Sequence, residues 1–162
     1  LIEQLFRLGM KRELPQFKQW HNDGIVLNIG SGNDVIKGSV NLDLPEYNAD
    51  VDPIPFDDGS VSTIHAYHVI EHLANPIFFI KECQRVLTVG GLINICVPHY
   101  KSEIAWHDLT HRRAVALDTF ETLLKTEYYN TGNWELELIG SVAIGIVDRN
   151  LAILTQLEKI EL

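Results

Sequence analysis

The rhythm of apolar residues along this chain changes at Ile25. Before it, Leu1, Leu5 and Leu8 recur at helical spacing until Pro15 interrupts them, which predicts an N-terminal helix and an irregular stretch to Asn22, together a lid over residues 1–22. Beyond it, short apolar runs alternate with helical patterns. Ile25–Ile29, Val40–Asp43, Val61–Ala66 and Leu92–Val97 read as strands. Over Pro76–Leu87, Ile77, Ile80, Cys83, Val86 and Leu87 share one helical face while Lys81, Glu82 and Arg85 point outward, and Gly90-Gly91 is expected to stop that helix. Asp118–Lys125 predicts a further helix, capped by Asp118 or Thr119 and burying Phe120, Leu123 and Leu124. A strand pair is predicted to close the chain: Trp134–Ile139 alternates, Val142–Val147 continues the apolar pattern, and Leu151–Leu157 returns after a turn at Asp148-Arg149-Asn150. Strands separated by helices and ending in an antiparallel return describe an α/β, three-layer, Rossmann-like open sheet. Ligands of such a sheet sit at the carboxyl ends of its strands.

Composition narrows the classes. The 162 residues include 13 basic and 22 acidic ones, a net charge of −9, with 46% apolar and 22% charged. A (β/α)₈ barrel needs roughly 200 residues or more, so one domain is expected over residues 1–162. Phosphate binding relies on a concentrated basic surface, and only Arg112-Arg113 is locally basic, so no nucleic-acid partner is expected. Cys83 and Cys96 form no disulfide framework and read as reduced core thiols of a cytoplasmic protein. The longest mainly apolar run, Leu138–Val147, is ten residues, about half the ~20 that span a bilayer. No membrane association is expected. The opening residues carry neither a basic start nor a cleavage site, and the absence of an initiating Met points to a start further upstream.

Candidate chemistry begins directly after the first strand. In Gly30-Ser31-Gly32, glycine lets the backbone turn tightly and lets a ligand approach where a Cβ would collide. A dinucleotide fingerprint would need Gly or Ala at position 35, where Val35 stands, so a pyrophosphate is disfavoured and a smaller nucleoside ligand survives the test. Asp43 ends the second strand, where a carboxylate can accept both hydroxyls of a ribose.

These residues resemble a known family. Leu27-Asn28-Ile29-Gly30-Ser31-Gly32 is similar to the first motif of the class I S-adenosylmethionine-dependent methyltransferases, and Val40-Asn41-Leu42-Asp43-Leu44 to the second. The short gap between them, ending near Gly38, is similar to a compact subgroup that lacks the usual first helix. Ala49 to Val61, Tyr67-His68-Val69-Ile70-Glu71-His72-Leu73, and Arg85-Val86-Leu87 to Gly90-Gly91 resemble three further motifs in family order. The resemblance spans Leu27–Pro98. It implies a mostly parallel seven-stranded sheet with an antiparallel C-terminal strand, a cofactor-binding half at 23–98 and a substrate-side half at 99–162. It also implies S-adenosylmethionine as cofactor and S-adenosylhomocysteine as product. Carried over by position, Gly30, Ser31 and Gly32 would hug the methionine part and Asp43 the ribose. Leu44 would pack on adenine, Asp50 and Val51 would meet its edge, and Ala66, Tyr67 and His68 would face the amino-acid portion and the mouth of the acceptor site. Asn28 stands where the family usually has an acidic residue, so it can hydrogen-bond there without supplying a carboxylate.

Methyl transfer from a sulfonium needs mainly alignment and desolvation, but a base adds roughly 10²- to 10⁴-fold for a hydroxyl acceptor. His99 follows the strand at Leu92–Val97, and Trp106-His107-Asp108-Leu109-Thr110-His111-Arg112-Arg113 resembles an Asp-x-Thr-His-x-Arg element of the subgroup. One reading makes His107 or His111 the base, Asp108 its orienting carboxylate and Arg112 or Arg113 a clamp for an anionic acceptor. In the other, Asp108 and Thr110 cap a turn. His72 is expected to cap or pack at a helix start, and the carboxylates of Asp52 to Asp58 to form a solvated face. Tyr100, Trp106, Tyr128 and Tyr129 are expected either to roof the cofactor or to close the core. The expected function is methylation of a small-molecule or sugar acceptor, by O-methylation, with no resident metal. The competing readings are a non-catalytic cofactor-binding partner subunit or sensor, and a metal-dependent hydrolase using His99, His107, Asp108 and His111.

Overall fold

Six strands form one sheet in the order β2-β1-β3-β4-β6-β5. They are β1 (Ile25–Ile29), β2 (Val40–Leu42), β3 (Val61–Tyr67), β4 (Leu87–Pro98), β5 (Leu136–Ile144) and β6 (Ala152–Lys159), with helices α1 (Pro76–Val86), α2 (Ile104–His107) and α3 (Thr119–Lys125). The computed structural model describes residues 18–19, 24–125, 134–145 and 151–161. The predicted N-terminal helix and the turn at Asp148-Arg149-Asn150 lie outside the described residues, as do Tyr128 and Tyr129. β1 to β4 run parallel, and β6 runs antiparallel to both β4 and β5.

The α/β architecture and the antiparallel return are as expected, but the described sheet has six strands rather than seven. No strand forms between β2 and β3. Pro45, Pro53 and Pro55 in that segment lack the N–H a ladder needs, and Tyr47 and Ile54 instead bury their side chains in the core from irregular backbone. Near the C-terminus, the first strand of the predicted closing pair is β5, with Gly140 absorbed by a register shift after Leu138; Ile146 and Val147 lie outside the described residues. The first helix is indeed absent between β1 and β2.

α1 begins at Pro76, whose missing N–H costs nothing at a helix start, behind Asn75, whose Oδ1 accepts the Phe78 N–H at 3.2 Å. It ends at Val86, before the glycines expected to stop it, because Leu87 turns extended and enters β4. Phe79, Ile80, Cys83 and Val86 are buried in one core with Leu27, Ile29, Ile64, Ala66, Ile93, Ile95 and Val97 from alternating positions of β1, β3 and β4.

The intervening positions carry a polar row. Asn41, Asn28, His65, Asn94 and Gln156 are cross-strand partners in succession over five strands. Asn28, His65, Asn94 and Gln156 are each no more than 3% exposed. Asn28 Nδ2 donates to Asn41 Oδ1 at 2.8 Å, and Gln156 Nε2 donates to Asn94 Oδ1 at 2.9 Å. Gln156 also bonds both backbone groups of Lys18, so the row carries much of its own hydrogen bonding.

Arg85 closes the turn between β2 and β3 onto α1. It donates to Glu82, to Asp58 and to the Ile54 and Phe56 carbonyls, while Glu82 Oε2 accepts the Ile54 N–H. The Arg85 side chain holds the Glu82 carboxyl below its usual range. Asp58 pairs with Arg85 while its side chain stays 79% exposed on the solvated face.

Candidate functional site

The carboxyl ends of β1 and β2 build a cradle from backbone and one carboxylate. Gly30 leaves β1 at φ +66°, and its N–H bonds the Leu42 carbonyl at 2.8 Å. A Cβ at Gly30 would stand 2.5 Å from Val69 Cγ2, so glycine is required there by both space and conformation. Gly32 has φ +48° and nothing within 4 Å of where its Cβ would be, which leaves its backbone open to a ligand. Asp43 Oδ2 accepts the Gly32 N–H at 2.6 Å and Oδ1 accepts the Leu44 N–H at 2.8 Å, fixing the carboxylate at the lip of the cradle. Ser31 is buried, and its carbonyl accepts the Asp34 N–H at 2.8 Å.

Asn28 is a support rather than a lip residue. Its amide donates to the Asp34 carbonyl at 2.9 Å as well as to Asn41, holding the loop that stands in for a first helix. Leu44, next to Asp43 in the chain, and Val51 are 65% and 67% exposed, two bare apolar side chains. Asp50 lies apart from Val51 in role: its Oδ1 accepts the Asn75 N–H at 2.9 Å and ties the loop to the start of α1. Ala66 is fully buried, and the Tyr67 hydroxyl is 2.9 Å from His65 Nδ1, directed along the polar row. Burial pushes the Tyr67 pKa up and that of His65 down to about 4, so His65 is neutral at ordinary pH.

The ends of β3 and β4 carry ionisable side chains. His68 follows β3 in the left-handed region at φ 57°, a conformation histidine tolerates better than most residues. Its Nδ1 is 3.1 Å from Glu71 Oε1 and its Nε2 is 3.9 Å from Cys96 Sγ. Hydrogen bonds to Cys96 and to Glu71 push its pKa up to about 10, holding it as an imidazolium. Glu71 is 1% exposed.

His72 does not sit at a helix start; it occupies a turn well before α1. Its Nδ1 meets Thr110 Oγ1 at 2.9 Å, and its ring meets that of His111 edge-on, with centroids 4.6 Å apart. His111 Nδ1 lies 3.2 Å from the Ala105 carbonyl, and its Nε2 lies 3.8 Å from Asp108 Oδ2. Asp108 Oδ1 accepts from both the Thr110 hydroxyl and its N–H, which hold the carboxyl below its usual range.

Arg113 is not a free clamp for an acceptor. It donates to the Ile70 and Leu73 carbonyls and so staples the loop after β3 to the loop after β4. Arg112 adds a backbone bond to the Glu71 carbonyl. His99 is buried and its Nδ1 accepts the Lys101 N–H at 3.1 Å; burial, then the nearby Lys101, lowers its pKa. His107 is exposed at the end of α2, and Trp106 beside it is 64% exposed with its indole N–H on the Tyr100 carbonyl. The four-residue hydrolase set is not brought together: among the described residues, the His, Cys, Asp and Glu ligand atoms that converge belong to Glu71, His72 and His111.

The comparisons with known proteins fit this geometry. Residues 30–95 match the family described as "Methyltransferase domain". Two proteins of Mycobacterium tuberculosis strains, each described as a "Probable S-adenosylmethionine-dependent methyltransferase", are 37% identical over 51 residues, 32% of this chain and 19% of the relative. The match thus spans about a fifth of the curated relatives' length. Among solved structures, a SAM-dependent methyltransferase of Archaeoglobus fulgidus aligns at TM-score 0.60 and 15% identity, covering 96% of this chain and 94% of that one. An S-adenosylmethionine-dependent methyltransferase of Mesorhizobium loti aligns at TM-score 0.60 and 10% identity, covering 84% and 91%. The chain carries the fold of these methyltransferases, and residues 30–95 are similar to a methyltransferase domain.

S-adenosylmethionine is the cofactor of that family, and the residues present fit it. The open backbone at Gly32, the fixed carboxylate of Asp43 and the bare side chains of Leu44 and Val51 match an amino-acid, ribose and adenine sequence of groups. Among the described residues no helix is long and apolar enough to cross a membrane.

Proposed function

We propose that this chain binds S-adenosylmethionine and methylates a small hydroxyl-bearing acceptor, a sugar or other small molecule, in the cytoplasm. The observation that carries the reading is the Asp43 carboxylate held 2.6 Å from the Gly32 N–H at the meeting of two parallel strand ends. A ribose placed there would take over that carboxylate, while Gly30, Ser31 and Gly32 offer backbone to the methionine part and Leu44 and Val51 flank the adenine. Ala66, Tyr67 and His68 close the amino-acid end, and Asp50 and Asn28 hold the surrounding loops. The two buried free thiols support a reducing compartment.

When bound, the cofactor supplies the electrophilic methyl group; the chain's own residues align the acceptor and hold its proton. His111 is the best-placed base. Its Nδ1–H is directed at the Ala105 carbonyl, so Nε2 keeps its lone pair, and Asp108 3.8 Å away would stabilise the imidazolium once a proton arrives. His107, exposed on the same loop, would lie on the acceptor side, and His99, neutral and buried, would orient the loop.

Calorimetric titration with S-adenosylhomocysteine tests the cofactor half without needing the acceptor. Micromolar binding is expected, and Asp43→Ala should weaken it by roughly 1.5–3 kcal/mol for each charge-assisted bond lost. Unchanged affinity would remove Asp43 from the ribose. A second reading, a cofactor-binding partner subunit, is favoured by Asn28, which uses its amide on the loop and brings no carboxylate. Product binding without turnover over a broad panel of acceptors would select it.

A further inference from the structure

We propose that Glu71, His72 and His111 form a binding site for a divalent transition-metal ion of the zinc type, on the acceptor side of the cradle. One possible ligand atom from each residue lies within 4.8 Å of the other two. The hydrogen bonds decide which atoms are free. The Thr110 hydroxyl donates its single proton to Asp108 Oδ1, so toward His72 it can only accept, and His72 must carry its proton on Nδ1. His111 likewise donates from Nδ1 to the Ala105 carbonyl. Both imidazoles therefore keep a lone pair on Nε2, and each is held by a proton-accepting partner on its other nitrogen, as metal-ligating histidines are.

The third donor is the unusual one. Glu71 is 1% exposed; its Oε1 meets His68, and its Oε2 is buried with no hydrogen-bond partner. A buried carboxylate oxygen left unpaired costs free energy that a cation would recover. Two imidazole nitrogens and a carboxylate oxygen are the donor set zinc favours, with a fourth position left for water or an oxygen of the acceptor. Bonds of about 2.0–2.2 Å in a tetrahedral site put ligand atoms roughly 3.3–3.6 Å apart, so atoms now within 4.8 Å of one another would draw together by up to about 1.5 Å as the ion binds. Asp108, whose Oδ2 stands 3.8 Å from His111 Nε2, adds negative charge beside the site. In the metal-loaded protein the His111 lone pair belongs to the ion, and the role of His111 as base is confined to the metal-free state.

The test is titration of the metal-stripped chain with Co²⁺, read by its visible absorption, followed by displacement with Zn²⁺. One equivalent should bind with the intense bands of a low-coordinate nitrogen and oxygen site, and Zn²⁺ should abolish them. His72→Ala and His111→Ala should each weaken binding at least tenfold, as should Glu71→Gln, with circular dichroism confirming that each variant is folded. His111→Ala serves if Glu71→Gln fails to fold, since His111 lies nearer the surface. Absence of binding below about 100 μM, or equal binding by the folded variants, overturns the site. S-adenosylhomocysteine binding measured on the same sample separates the two proposals: product binding without Co²⁺ binding removes only the metal site, and the reverse removes only the cofactor reading.

Discussion

The two sides of the sheet's carboxyl edge are built in opposite ways. At the ends of β1 and β2, Gly30, Ser31 and Gly32 present backbone, and a single carboxylate, Asp43, is fixed by two N–H groups within its own neighbourhood. At the ends of β3 and β4, the His68–Glu71 pair, the His72–Thr110–Asp108–His111 cluster and Arg113 on the Ile70 and Leu73 carbonyls bring together side chains, with bonds between residues 38 to 43 positions apart. The first kind of site tolerates little change in main-chain shape. The second tolerates little change in charge. Each side therefore fails under a different kind of substitution, and the difference can be measured.

The largest effect is expected where the two sides touch. Gly30→Ala places a Cβ 2.5 Å from Val69 Cγ2 at φ +66°. Left-handed strain of about 1–2 kcal/mol and overpacking of about 1–3 kcal/mol add to a loss of roughly 2–5 kcal/mol in unfolding free energy, together with loss of product binding. A variant with the wild-type denaturant midpoint would mean that the loop after β3 is free to move aside and that the two sides are independent.

A smaller effect is expected from charge. His68→Ala leaves Glu71 buried without its cationic neighbour and should cost about 1–3 kcal/mol, toward the low end because the His68 side chain is 52% exposed. Chemical denaturation of the two proteins at neutral pH gives the number, and no difference would show that the His68–Glu71 contact contributes nothing to stability.

The smallest effect is a difference in pH dependence between two histidines on one strand end. The folded pKa of His68, about 10, lies above its unfolded value, so its contribution is fully present below pH 6.5 and is lost as pH rises through about 10. His65, at about 4, lies below its unfolded value, so its contribution is present above pH 6.5 and is lost as pH falls through about 4. The stability gap between wild type and His68→Ala should narrow in alkali. The gap between wild type and His65→Gln should narrow in acid. Parallel profiles for the two pairs would show that neither histidine titrates as its surroundings dictate.

The cradle at the ends of β1 and β2 was legible in the sequence because its parts are local. A strand, two glycines and a carboxylate eleven residues later specify a cradle by chain geometry alone, and the missing first helix follows from the length of the gap. What escaped was the lip's division of labour. Asn28 and Asp50 sit in motif positions yet act on the Asp34 carbonyl and the Asn75 N–H, contacts fixed only by how the loops pack. The histidine cluster at the ends of β3 and β4 was legible only as parts. His72 and the Asp108-Leu109-Thr110-His111 run both stand out, but their union depends on Arg113 reaching the Ile70 and Leu73 carbonyls, and no periodicity in one segment reports that. The seventh strand was implied by the resemblance and by no apolar run in this sequence; between β2 and β3 three prolines remove ladder donors. Arg85 shows the same asymmetry, since its motif was visible whereas its hold on Ile54, Phe56 and Asp58 was not.

The row of Asn41, Asn28, His65, Asn94 and Gln156 also acts as an alignment gauge for the whole sheet. Side chains alternate between faces, so slipping one strand by a single residue would drive an amide or imidazole into the layer beneath α1 and turn Leu27, Ile64 or Ile93 outward. Apolar residues alone would score many such misalignments almost equally, because one aliphatic side chain replaces another at little cost. A polar group that finds its partner in only one alignment removes that degeneracy. Because the cradle and the histidine network hang from the ends of these strands, the row that indexes the strands also sets the relative height of the two halves of the site.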